Sequence, residues 1–201
     1  MSHEQFWAQE GLSHMIPSGF GEFPEGFDVR EVLKSLAEDL NYRSVIDFGC
    51  GYGRLCESFA KEKYLGIDVN KEALEMAEKK YEGYRFELSQ PKPLYADIYL
   101  AHTVFLHLQD KEIHEALRQM RCKYLIISEI LGKEWRREGL PPAYNRNLSD
   151  YVTLLRSHDL ILHREEKKPY KRYADTAFYT HKNTDISFLV FKKLSCNPKM
   201  S

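Results

Sequence analysis

The chain has 201 residues and a formal net charge of −1, with 43% hydrophobic and 29% charged residues. This balance is typical of a soluble globular protein with one core and excludes a disordered chain. The near-neutral charge argues against a general electrostatic attraction to nucleic acid or membranes, and no apolar run approaches the length of a membrane span. The first residues lack the apolar segment of a signal peptide, so we expect a cytoplasmic location without a membrane partner.

Four cysteines are present, with neither a CxxC pair nor a histidine at ligand spacing. This pattern predicts reduced thiols and no metal site. The four are Cys50, Cys56, Cys122 and Cys196.

Within residues 1–28, the segment 11–28 alternates glycine and proline with phenylalanine, a composition that cannot form a long helix. Residues 1–28 are interpreted as an N-terminal arm that either packs on the domain or closes over it as a lid. Its aromatic residues are Phe6, Trp7, Phe20, Phe23 and Phe27.

From Val29 onward, predicted helices and strands alternate. A helix beginning at Val29 is followed by the strand SVIDFG, a helix over RLCESFAKEK, the strand YLGIDV and a helix over NKEALEMAEKKY that Asn70 caps. The strands YRFELS and ADIYLAH, a helix over DKEIHEALRQMR and the strand KYLIISEIL then complete a core over residues 29–131. Because these strands are apolar without alternation, they predict a parallel sheet covered on both faces.

Residues 132–201 begin with a polar connection that we expect on the substrate side. A helix over LSDYVTLLRSHD, capped by Ser149, and the closing strands LILHREEKK and DISFLVFKK follow. The fold class is therefore α/β, a three-layer sandwich with a mostly parallel seven-stranded sheet, and we expect one domain over residues 1–201. A basic, tyrosine-rich segment between the closing strands is interpreted as a flap.

A glycine turn follows the first strand, with Gly49, Gly51 and Gly53 in a G-x-G-x-G spacing. In a parallel sheet the first strand-to-helix turn borders the ligand crevice, and bare glycines let a ligand approach the backbone. Asp47 lies at the end of the first strand, and Asp68 lies at the tip of the next one. A carboxylate at the second position can accept hydrogen bonds from the ribose hydroxyls of an adenosine-bearing ligand.

The segments VIDFGCGYG, GIDVN and ADIYLAHTVFLHLQD resemble the first, second and fourth motifs of the class I S-adenosylmethionine-dependent methyltransferases. The resemblance extends over 29–131. It implies a Rossmann-like methyltransferase fold with an antiparallel last strand and S-adenosyl-L-methionine as cofactor. The cofactor-binding residues that it implies are Asp47, Gly49, Gly51, Gly53, Asp68, Val69, Leu88 and Ser89.

Methyl transfer to oxygen usually needs a base, and histidine suits that task near neutral pH. His102, at the end of the fourth strand, is the first candidate, and His107, which could equally cap or pack, is the second. Tyr144 and Arg146 are candidate substrate residues, although Arg146 could instead cap a helix or form an ion pair with Asp150. We expect a hydroxyl of a small molecule or saccharide as the acceptor.

Two alternatives stay open at this point. The basic and aromatic segment 167–182 could bind a protein or RNA substrate, with nucleic acid the less favoured partner at this net charge. The chain could also bind the cofactor without catalysing a reaction, as a partner protein.

Overall fold

A computed structural model describes residues 3–9, 28–133, 142–171 and 183–194. It contains a seven-stranded sheet in the order β3-β2-β1-β4-β5-β7-β6. The strands are β1 (Val45–Phe48), β2 (Tyr64–Asp68), β3 (Arg85–Leu88), β4 (Leu94–His102), β5 (Met120–Glu129), β6 (Leu160–Lys171) and β7 (Asn183–Lys193).

The strand directions agree with the prediction. The first five strands pair in parallel, whereas β7 pairs antiparallel with both β5 and β6. The chain moves outward from β1 through β2 to β3 and then returns to the other side of β1 with β4. This reversal opens a crevice at the carboxyl ends of β1 and β4, where ligands bind in such sheets.

Helices cover both faces of the sheet, as the three-layer prediction requires. They are α1 (His3–Trp7), α2 (Val29–Asp39), α3 (Lys71–Lys80), α4 (Asp110–Gln119) and α5 (Leu148–Arg156). Val29 of α2 and Leu74 of α3 belong to one apolar core, and Ile113 of α4 and Tyr151 of α5 belong to the other. No helix in the described ranges is long and apolar enough to cross a membrane.

The predicted helix over RLCESFAKEK is wrong, because this segment forms only two short 3-10 turns, Cys56–Ser58 and Lys61–Lys63. Phe59 between them takes an extended conformation that lets its ring stack on Tyr64, with ring centroids 5.8 Å apart. A continuous helix would move this ring out of the core. A smaller correction concerns α5, whose cap is Asn147 rather than Ser149.

Two local features shape the crevice. Five residues, 89–93, connect β3 to β4 without a helix, so part of the sheet face beside α4 is left uncovered. The N-terminal arm, so far as residues 3–9 describe it, reaches the carboxyl edge of the sheet, where Asn70 Nδ2 donates to the carbonyl oxygens of Trp7 and Gln9 at 3.0 Å each. Phe20, Phe23 and Phe27 lie outside the described residues, as does the flap between 172 and 182.

Candidate functional site

A cavity of about 500 Å³ lies at the crevice. Its walls come from the glycine turn after β1, the end of β2, the residues after β3, the end of β4 and one face of α4, with Trp7 of the arm at one side. The volume is within the range of pockets that enclose a cofactor or small ligand.

Two of the three predicted glycines reach this cavity. Gly49 and Gly51 line it with φ values of +74° and +54°. A Cβ on Gly49 would lie 2.7 Å from Val104 Cγ2, so the turn has no space for a side chain there. Gly53, also at positive φ, is not on the cavity wall: a Cβ there would lie 2.7 Å from Phe86 Cζ, and its absence allows close packing.

Asp68 occupies the position that the sequence predicts. It lines the cavity at the end of β2 beside Val69, with 6% of its surface exposed. Its Oδ2 accepts the Gly51 N–H and its Oδ1 accepts the Asn70 N–H, each at 2.8 Å. These bonds fix the carboxylate against the glycine turn.

Asp47, by contrast, lies behind the turn and not on the cavity wall. Its Oδ2 accepts a 2.7 Å hydrogen bond from the Tyr64 hydroxyl. Burial raises the pKa of Asp47 to about 7, although the Tyr64 bond and the Arg54 charge oppose this shift. The structure thus gives Asp47 a supporting position beneath the site.

Of the two residues predicted near adenine, Leu88 and Ser89, only Ser89 lies on the cavity wall. Ser89 lines the cavity, and its N–H donates to the Asp68 carbonyl oxygen at 2.7 Å. Leu88 is 49% exposed and is not part of the wall. Within β3 only Phe86 is buried in the core.

Both candidate histidines line the cavity, in different environments. His102 Nδ1 lies 2.8 Å from Ser128 Oγ, and burial, with a contribution from Arg54, holds the pKa of His102 well below its usual range. His107 belongs to a 3-10 turn (Phe105–His107), and its Nδ1 lies 2.6 Å from the Pro142 carbonyl oxygen. Since a carbonyl only accepts, Nδ1 carries the proton, and the neutral ring has its lone pair on Nε2.

Tyr144 and Arg146 do not reach the cavity wall. The Tyr144 hydroxyl accepts a bond from Gln109 Nε2 at 3.1 Å. Arg146 is 6% exposed, and its guanidinium donates to backbone carbonyls and to Asp110. The structure therefore separates this pair from the other predicted site residues.

Several wall residues were not predicted as site residues. Arg54 Nη2 donates to Thr103 Oγ1 at 3.3 Å, and both residues line the cavity. Thr103 has φ +54°, a strained value for a β-branched residue and a frequent mark of functional sites. Trp7 lies with its ring centroid 4.9 Å from that of His107. Only the arm's aromatic composition hinted at Trp7, and no sequence signal marked Thr103.

The comparisons with known proteins agree with this geometry. Residues 46–125 match a family model described as a methyltransferase domain. A methyltransferase from Methanosarcina mazei shares the fold with a TM-score of 0.61 at 17% identity, covering 79% of this chain and 97% of its own. Magnesium protoporphyrin IX methyltransferase from Synechocystis, with S-adenosylmethionine bound, gives 0.63 at 16% identity, covering 96% and 98%.

The methyltransferase domain of bacterial CtHen1-C gives a TM-score of 0.59 at 17% identity, covering 83% of this chain and 97% of that one. No curated protein sequence matches the chain. The chain therefore has the class I, Rossmann-like methyltransferase fold, and its residues 46–125 are similar to a methyltransferase domain. The fold that the sequence resemblance to the S-adenosylmethionine-dependent methyltransferases implies is confirmed.

Proposed function

We propose that the protein binds S-adenosylmethionine in this cavity and transfers its methyl group to a hydroxyl of a small molecule or saccharide, with His107 as the base. The observation that carries the proposal is the convergence on one cavity of a side-chain-free glycine turn, a strand-end carboxylate and His107. Such a convergence of a backbone cradle with a few polar groups defines a ligand site.

The residues present fit the cofactor. Asp68 would accept the ribose hydroxyls, and the bare backbone of Gly49 and Gly51 would lie against the methionine part. Arg54 on the same wall would pair with the methionine carboxylate, and Ser89 and Val69 would border adenine. The bound cofactor supplies an electrophilic methyl group on a sulfonium, so the protein's task is to align the acceptor and remove its proton.

We assign the base to His107 and not to His102, which reverses the order expected from the sequence. The low pKa of His102 makes it a weak proton acceptor, because base strength follows pKa. His107 has a fixed tautomer, since the Pro142 carbonyl oxygen holds the Nδ1 proton and leaves the lone pair on Nε2. A backbone bond of this kind also fixes the ring's orientation.

The cavity wall around His107 favours a hydroxylated acceptor. Trp7 provides an aromatic surface beside the histidine, and Glu112, Glu115 and Gln119 provide hydrogen-bonding groups from α4. Aromatic faces combined with polar side chains suit sugars and small polar metabolites.

The described part of the basic segment gives the RNA alternative little support. Lys167 pairs with Glu165 at 3.3 Å and Lys168 pairs with Glu166 at 2.8 Å, so acids on the same strand neutralise these cations. RNA binding through phosphate contacts needs cations that are available to the backbone.

A transfer assay tests the proposal. The purified protein is incubated with methyl-labelled S-adenosylmethionine and separate sets of saccharides, small alcohols and phenols, amines, and RNA. We expect label on a hydroxylated small molecule, and transfer slower by about 10²–10⁴-fold in the His107→Asn variant. Transfer to RNA alone, or cofactor binding without transfer to any set, would contradict the proposed acceptor and support one of the two alternatives.

A further inference from the structure

The 3-10 turn that carries His107 is held from two sides by the buried side chains of Glu129 and Arg146. Glu129, fully buried at the end of β5, accepts the Leu106 N–H on Oε1 at 3.2 Å. Arg146 donates from Nη1 to the Phe105 carbonyl oxygen at 2.9 Å and from Nη2 to the Leu108 carbonyl oxygen at 2.7 Å. The carboxyl group of Glu129 thus binds the turn's amide side, and the guanidinium of Arg146 binds its carbonyl side.

Arg146 is itself held firmly in place. Its Nε and Nη2 donate to Asp110 Oδ1 at 3.0 and 2.6 Å, which ties the turn to the first residue of α4. The guanidinium carbon lies 5.7 Å from the centroid of the Tyr151 ring. A planar fork with several donors can serve all of these acceptors at once, whereas an ammonium group cannot.

Glu129 shows that this arrangement is not simply optimised for stability. Its Oε2 is buried and has no hydrogen-bond partner among the described residues. Burial raises the pKa of Glu129 to about 8, against the backbone bonds from the turn and the charge of Arg146, which lower it. An unsatisfied buried carboxyl oxygen is costly, and such groups in native structures call for an explanation in function.

The same scaffold fixes the histidine ring. Pro142, whose carbonyl oxygen accepts from His107 Nδ1, lies four residues before Arg146 in one connected segment. Within that segment the Tyr144 N–H donates to the Leu106 carbonyl oxygen at 2.7 Å. A shift of the turn relative to Arg146 would therefore also break the bond that sets the His107 tautomer.

We propose that Glu129 and Arg146 are positioning residues for His107: together they hold its turn so that Nε2 faces the cavity. The role rests on the proposed function, in which His107 is the base. It differs from the substrate contact that the sequence suggested for Arg146, because neither Glu129 nor Arg146 lines the cavity.

Imidazole nitrogen NMR of the ¹⁵N-labelled full chain reads the position of His107 without any turnover, with the His107 signals assigned by their loss in His107→Gln. The wild type should show one tautomer protonated at Nδ1. Glu129→Leu and Arg146→Lys should give averaged His107 signals and a kcat about tenfold to a hundredfold lower, since small misplacements cost rates of this size. Cofactor affinity should stay unchanged. Glu129→Gln, which keeps the Oε1 acceptor, should retain both the tautomer and the rate.

Arg156→Lys is the matched control, because Arg156 is exposed at the end of α5 and should leave every readout unchanged. Unaltered His107 signals in Arg146→Lys would overturn the proposal, whatever happens to the rate. If Glu129→Leu does not fold, Arg146→Lys alone tests whether the turn positions His107. If His107→Asn proved fully active, the proposed base would fail while the NMR result would still decide whether Glu129 and Arg146 position the ring.

Discussion

At the scale of single residues, the two acids of the motif have different positions. Asp68 lines the cavity, whereas Asp47 bonds to Tyr64 behind the glycine turn. Neighbouring residues in a strand point to opposite faces, and Phe48, not Asp47, is the residue of β1 on the cavity wall. Spacing within a motif predicts that an acid lies near a ligand, but it does not predict which face its carboxylate takes.

Gly53 should be a stability residue and not a cofactor contact. Gly53→Ala would put a Cβ at positive φ and 2.7 Å from Phe86 Cζ. Left-handed backbone costs about 1–2 kcal/mol and overpacking about 1–3 kcal/mol more. Gly83→Ala shares the positive φ but meets only the flexible Lys61 side chain at 3.3 Å, so it isolates the backbone cost. Equal losses in urea unfolding would show that packing against Phe86 contributes nothing.

His107→Asn should lower kcat by about 10²–10⁴-fold, the usual contribution of a general base. Cofactor affinity should stay the same, because His107 is placed on the acceptor side. His102→Asn is the matched comparison, since His102 lines the same cavity with a depressed pKa. Steady-state kinetics with the identified acceptor decides between them, and a larger loss in His102→Asn would reverse the assignment.

At the scale of elements, the segment after the glycine turn was the main error. Its polar and apolar residues suit a helix, and Leu55, Cys56, Ser58 and Phe59 are all buried. This spacing, i, i+1, i+3 and i+4, also fits one face of a helix, so the pattern of the sequence does not distinguish the two backbones. Phe59 lies beside Tyr64 because of packing in the tertiary core. The periodicity of the local sequence carries no information about that packing.

Asn70 connects the N-terminal helix to the cofactor side of the sheet. Its Oδ1 caps α3 through the Ala73 N–H at 2.9 Å, while its Nδ2 donates to Trp7 and Gln9. Asn70→Asp keeps a capping oxygen and removes both donors. Since each bond contributes about 0.5–1.5 kcal/mol, we expect amide exchange in 3–9 to accelerate about fivefold to a hundredfold.

Exchange in α3 should be unchanged in this variant, which serves as the internal control. Asn70→Ala should accelerate exchange in both α1 and α3, because it also removes the cap. Unchanged exchange across 3–9 in Asn70→Asp would mean that other contacts hold the arm.

At the scale of the whole molecule, two buried carboxyls should shape the pH dependence of stability. The folded pKa of Glu129 is about 8, above its ordinary 4.5, and that of Asp47 is about 7, above its ordinary 3.8. The folded state therefore binds these protons more tightly than the unfolded state. Their stabilising effect is complete below the ordinary values and is lost as the pH rises through the folded values.

Glu129→Gln removes this titration. The free energy of unfolding of Glu129→Gln, relative to the wild type, should therefore rise steadily between about pH 4.5 and about pH 8. Urea unfolding across this pH range measures the difference in free energy of unfolding between the two proteins. The contributions of the histidines, which both proteins share, cancel in that difference. A difference that does not change with pH would show that Glu129 titrates normally in the folded state.

The sequence predicted the architecture well because the signals were local. Apolar strands predicted the parallel sheet and, with it, the crevice beside the glycine turn, and the antiparallel last strand followed from the family resemblance. Arg146 shows what sequence could not provide: its acceptors belong to Phe105, Leu108 and Asp110, which are distant along the chain. Contacts of that kind exist only after the core has formed.

Calorimetric titration with S-adenosylmethionine and S-adenosylhomocysteine tests the central claim most directly. The wild type should bind both, and Asp68→Ala should bind at least tenfold more weakly, because it loses charge-assisted hydrogen bonds of about 1.5–3 kcal/mol each. Glu87→Ala, an exposed change on the neighbouring strand β3, should bind as the wild type does. No binding by the folded wild type, or equal affinity in Asp68→Ala, would contradict the site described above.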